Sequence, residues 1–184
     1  MKIIVSLFIA CVLFSFNAMA QNNNRINFSY EAPVGYALLD SASGDLNQDG
    51  FRDYIIVLKN LGEDSLEEAA RPLIILLGNK QNGLDLYARN DSVVYCKNCG
   101  GIFGDPYQGI TIKKQYFSID HYGGSSWRWT RNTTFRYDKV KRQFLLHRDG
   151  GESYHTSDPD KTTLSLEHKS YYGKLPFEDY HFAL

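Results

Sequence analysis

The segment Asp45-Leu46-Asn47-Gln48-Asp49-Gly50-Phe51-Arg52-Asp53 places oxygen-bearing side chains at its first, third, fifth and ninth positions. A hard cation such as calcium takes six to eight oxygens at about 2.3–2.6 Å. Alternate oxygens on a tight curl converge on one point, and Gly50 at the sixth position permits the sharp bend. Asp45, Asn47, Asp49 and Asp53 are therefore candidate side-chain ligands for calcium, with the main-chain carbonyl of Phe51 between them and water completing the shell. The competing reading is a polar turn with no metal. Against it, crowded carboxylates repel one another unless something neutralises them, and Arg52 does so only in part.

The loop differs from an EF-hand in two respects. Its twelfth position is Ile56 rather than a bidentate Glu, and a β-branched run, Tyr54-Ile55-Ile56-Val57-Leu58, follows where a helix would begin. Residues 44–58 (GDLNQDGFRDYIIVL) resemble the calcium loops of FG-GAP and VCBS-type β-repeats, found in integrin propellers and many exported bacterial proteins. The resemblance implies that Asp45, Asn47, Asp49 and Asp53 ligate through side chains and Phe51 through its carbonyl. It covers a single copy of a unit that those families repeat, so it implies neither a full propeller nor integrin-like adhesion. Catalysis would need further groups at the ion that the sequence does not show, so a bound calcium is expected to be structural.

Cys96-Lys97-Asn98-Cys99-Gly100-Gly101 is the second chemical feature. A local disulfide capping a turn is the plainest reading. A redox pair would want the first cysteine at a helix N-terminus, whereas Cys96 follows the strand-like Ser92-Val93-Val94-Tyr95. Zinc would need two more ligands, for which His121, His147 or His155 are candidates that no spacing singles out.

The third feature is aromatic. Alternation along a strand puts Trp127, Trp129, Arg131, Thr133, Phe135 and Tyr137 on one face. This reads as a core-facing strand with a polar middle, or as a platform for a sugar ring or peptide in which Tyr122, Trp127 and Trp129 are the candidate contacts. The glycine-rich residues 101–109 form a second candidate loop.

Catalytic signatures are weak. The histidines fall in no HExxH spacing, and Gly123-Gly124-Ser125-Ser126-Trp127 has Trp where a nucleophile elbow needs Gly. Asp120 and His121 are adjacent, and on a strand adjacent side chains point to opposite faces, so the acid cannot orient the imidazole. The leading expectation is a non-enzymatic binding or structural module with a protein or polysaccharide partner. The alternative is a small secreted hydrolase assisted by calcium or zinc.

These groups must be positioned by strands. The chain of 184 residues is rich in Tyr and Phe, with 13 and 11, and these favour strands and large buried areas. Strands are expected at residues 36–39, 54–58, 73–77, 84–88, 110–112, 116–122, 127–137, 144–146 and 163–166, with residues 41–53 as a loop. Residues 63–70 (EDSLEEAA) are the one serious helix candidate, stopped by Pro72. The expected fold is mainly β: a single antiparallel sandwich-like or partly closed barrel domain over residues 21–184, with at most one short helix.

Residues 1–20 read as a signal peptide. Lys2 is followed by the apolar residues 3–16 and by Ala18-Met19-Ala20, a small-x-small site before Gln21. The apolar run is short of the roughly 18–20 residues that a membrane span needs, and Phe8-Ile9-Ala10-Cys11 makes a poor lipobox. A periplasmic or secreted location follows, without a transmembrane segment in the mature chain. The formal net charge of −1 argues against a nucleic-acid partner, which needs a basic footprint.

Overall fold

A computed structural model of the protein describes residues 33–66 and 68–182. The expected signal peptide, residues 1–20, lies outside the described residues. The described chain is mainly β and forms two antiparallel meanders. The first sheet has the order β1 (Tyr36–Gly44), β2 (Asp53–Asn60), β3 (Leu73–Gly78), β4 (Leu84–Asn90). The second runs β5 (Tyr107–Lys113), β6 (Tyr116–Gly124), β7 (Trp127–Asp138), β8 (Gln143–His155), β9 (Asp158–Leu166). The sheets do not close into a barrel, so of the two expected architectures the open, sandwich-like one holds. Among the described residues no helix is long and apolar enough to cross a membrane.

One core lies between the sheets. Ile55, Val57, Leu73 and Ile75 of the first sheet share a cluster with Phe117, Ile119, Phe135, Phe144 and Leu146 of the second. The strand period of two explains the division in β6, where Phe117, Ile119 and His121 are buried and the residues between them are half-exposed. The central strands β2 and β3 are apolar on both faces. Their outward residues Ile56, Leu58, Ile74 and Leu76 form a second cluster with Tyr36, Tyr54 and Leu84. The C-terminal segment plugs the core with Phe177 and Tyr180. The Asn90 amide anchors it by donating to the Phe177 carbonyl at 2.7 Å and the Tyr180 carbonyl at 2.8 Å.

Three local expectations need correction. Residues 63–70 are not a helix; the described ones form turns and irregular chain. An isolated eight-residue helix has little intrinsic stability, and here the segment serves as a strap instead. Glu63 binds Arg71, Asp64 pairs with Lys97, and the Leu66 carbonyl accepts from Asn98. Second, β1 does not stop at residue 39. It continues to Gly44, whose partner is Asp53, so the candidate metal loop is the tip of a β1–β2 hairpin. Third, β8 and β9 are much longer than their short apolar cores. Pairing with a neighbour carries their polar residues into the ladder.

Candidate metal loop and binding cleft

The hairpin loop is closed by Gly44 opposite Asp53. Gln48 at φ 59° and Gly50 at φ 91° curl the chain in the left-handed region, which glycine adopts without strain. The Asp45 carboxylate accepts the Asp49 amide at 3.0 Å and the Gly50 amide at 3.1 Å. The Asn47 side-chain oxygen accepts the Asp49 amide at 3.0 Å, and the Asn47 side-chain Nδ2 donates to Asp49 Oδ2 at 2.7 Å. Asp45, Asn47 and Asp49 therefore face one concavity. Phe51 and Asp45 border an adjoining hollow of about 290 Å³.

Asp53 behaves differently. It is fully buried, and its Oδ2 accepts the amides of Leu46 at 2.7 Å and Asn47 at 3.3 Å. Its Oδ1 accepts the amide of Gly78 at 3.0 Å, tying the loop to the end of β3. Burial pushes the Asp53 carboxyl up, more than the three amides pull it down, and the charge of Asp49 adds to the rise. The loop thus gathers the side-chain oxygens of Asp45 and Asn47 on the Asp49 backbone amide. Asp53 keeps lone pairs for one further bond but is committed first to the backbone. Among the described residues no three His, Cys, Asp or Glu side chains gather as a metal cluster, so a cation here would lean on the asparagine and on main-chain oxygen.

A larger concavity lies elsewhere. It is an open cleft of about 890 Å³ at the rim of the core, walled by Tyr95, Trp129 and Phe182 and by the Cys96–Cys99 disulfide. The Tyr95 and Trp129 rings meet at right angles with centroids 5.7 Å apart, and the Tyr95 and Phe182 ring centroids are 3.9 Å apart. Trp129 stands opposite Gly123, and a Cβ on that glycine would come within 2.6 Å of the indole. The glycine is what lets the indole lie against the sheet.

Arg131 forms the floor. It grips Asp149 through Nε at 2.8 Å and Nη2 at 2.7 Å, and donates to the Tyr95 hydroxyl at 2.7 Å. Asp149 is fully buried and also takes bonds from Thr133, Tyr180 and His168. Burial alone would push the Asp149 carboxyl up, but the Arg131 guanidinium and the His168 and Tyr180 bonds outweigh it and hold it below the usual range. Arg131 was visible as a polar interruption of an apolar strand face. Asp149 gave no such signal, because its place opposite Thr133 is set by the β7–β8 register.

The remaining candidates divide as follows. Trp127 is 60% exposed and Trp129 is half-buried, both on the inward side of β7. Tyr122 does not join them. It pairs with Thr130, so it lies on the outer face, its ring tilted 5.6 Å from that of Phe103; the expected loop of residues 101–109 is one only up to β5, which takes up residues 107–109. The expected three-residue platform is thus split by the sheet, since residues an odd step apart in register face opposite ways. Cys96 and Cys99 form the expected disulfide. The histidines are dispersed: His121 is buried on the inner face, His147 is exposed beside Tyr116, and His155 packs on Trp127 at the sheet tip. Asp120 turns away from His121 and accepts from Asn132 at 2.6 Å. No protein-family model, curated protein or solved structure matches the chain.

Proposed function

We propose that this protein is an exported, calcium-stapled β domain that acts as a non-enzymatic binding module and holds its partner in the cleft beside Trp129. The observation that carries the reading is the cleft itself: its volume of about 890 Å³ lies in the range of ligand sites, three aromatic rings wall it, and no histidine lines it among the described residues. Export is supported by the leader-like residues 1–20 and by the Cys96–Cys99 disulfide, a bond that persists in oxidising compartments. Calcium is supported by the curl at Gln48 and Gly50 and by the convergence of Asp45, Asn47 and Asp49. A cation there would also offset the repulsion between Asp49 and the buried Asp53 carboxylate.

A thermal melt in EDTA, then in calcium or magnesium, tests the staple. Extracellular sites bind calcium with constants of order 10⁻⁴–10⁻³ M, so about 1 mM calcium adds roughly 1.4 kcal/mol at the tighter limit. That corresponds to a rise in Tm of about 3–5 °C. Wild type is expected to respond to calcium and not magnesium, and Asp49→Ala to neither. A wild type indifferent to calcium overturns the metal part of the reading.

A further inference from the structure

The charges around the cleft do not balance. Arg131 lines it, but this cation is spent on the buried Asp149 carboxylate and on the hydroxyls of Tyr95 and Tyr180. Asp91 is likewise paired, with Arg89. Glu68 and Glu167 also line the cleft, are exposed, and have no ion pair among the described residues. They come from distant parts of the chain, Glu68 from the strap after β2 and Glu167 from the residue that follows β9. The same cleft is walled by Trp129, and an indole is the best aromatic surface for a cation.

We propose that the cleft takes a lysine or arginine side chain presented by an extended segment of a partner polypeptide. The cationic head would sit between Glu68 and Glu167, with the aliphatic stem along Trp129. Two unpaired carboxylates at the mouth attract positive charge, and the aromatic wall shields the stem from water. The volume of about 890 Å³, at the upper end for ligand sites, exceeds the needs of one side chain and leaves room for its flanking residues, which selects a peptide over a free amine. The inference rests on the binding-module reading and adds the chemistry of the ligand to it.

Calorimetric titration of the protein, expressed from Gln21, with acetyl-Gly-Lys-Arg-Gly-amide tests the proposal, with Trp fluorescence followed in parallel. The control peptide carries acetyl-lysine and citrulline, which keep the shape and remove the charge. The expected result is binding to the cationic peptide only, weakened by about three- to tenfold between 50 and 500 mM salt because the carboxylates are exposed. The double variant Glu68→Gln/Glu167→Gln, at two exposed positions, should weaken it by about tenfold or more at low salt. Its unchanged melt would show that folding is intact. Equal affinity for the neutral peptide, or undiminished binding by the double variant, overturns the proposal. Binding of a neutral oligosaccharide with a Trp fluorescence change, and of neither peptide, overturns the cationic ligand while the binding module stands. A cleft that binds none of the three probes overturns both.

Discussion

His121 shows how a single residue reports its surroundings. The ring is 2% exposed, and its Nε2 accepts the Tyr95 amide at 3.2 Å, so Nδ1 carries the proton, and among the described residues no hydrogen-bond partner meets it. Burial lowers its pKa to about 3, with the Arg131 and Arg71 charges adding to the fall and Asp105 and Asp149 opposing it. The unfolded chain therefore binds a proton that the folded chain refuses between roughly pH 6.5 and 3. The His121 contribution to stability is complete above pH 6.5 and declines below it, by at most about 1.4 kcal/mol per pH unit. Denaturant melts at pH 7, 6 and 5 should show this slope in wild type, and a shallower one in His121→Gln. Parallel slopes would mean that His121 takes up its proton in the folded protein at the same pH as in the unfolded chain. This burial was not legible in the sequence, where His121 was one of three equivalent ligand candidates. The strand alternation that separates it from Asp120 was.

At the scale of elements, the strap between β2 and β3 depends on Arg71. Its side chain is fully buried and forked onto two carboxylates, Glu63 at 2.9 and 3.0 Å and Asp105 at 2.7 and 2.7 Å. Burial works against the Arg71 charge, but the two acids outweigh it and raise its pKa further above the ordinary range. The pairing ties residues 61–71 to the loop that launches β5, where Asp105 also accepts the Tyr107 amide at 3.0 Å. Arg71→Ala would leave Glu63 buried and unpaired, and is expected to cost about 3–5 kcal/mol in a denaturant melt. Arg71→Met with Glu63→Gln removes both charges and should cost clearly less. A single variant as stable as wild type would show the strap to be dispensable. The sequence read this strap as a helix because Glu, Leu and Ala favour one locally. Nothing local revealed that Arg71, just past the end of the segment, and the distant Lys97 would claim Glu63 and Asp64.

For the whole molecule, the informative feature is that one core joins the two meanders. Leu73 and Ile75 from the first sheet and Phe117 and Phe144 from the second belong to the same cluster, and the edges meet where the Tyr107 hydroxyl donates to Asp40 at 2.9 Å. The sheets should therefore melt together. Phe117→Ala, in a fully buried position, is expected to cost about 3–5 kcal/mol. It should shift near- and far-ultraviolet circular dichroism transitions by the same amount, with the two staying coincident. Separate transitions would mean that each sheet has a core of its own.

The sequence by itself determined the mainly β class, the positions of most strands and the site of the acidic loop. These depend on signals within a few residues: period-two alternation, β-branched runs, and oxygen side chains at alternate places beside a glycine. The inward face of Trp127, Trp129 and Arg131 was legible for the same reason. Only the tertiary structure decided the rest. It joined Arg131 to Asp149, set Tyr122 on the far side of the sheet from Trp129, and drew Tyr95 and Phe182 into one cleft. It also turned Asp53 inward to hold three backbone amides, those of Leu46, Asn47 and Gly78. Those outcomes depend on strand register and on which loops pack together, and both are settled by burial summed over the whole core.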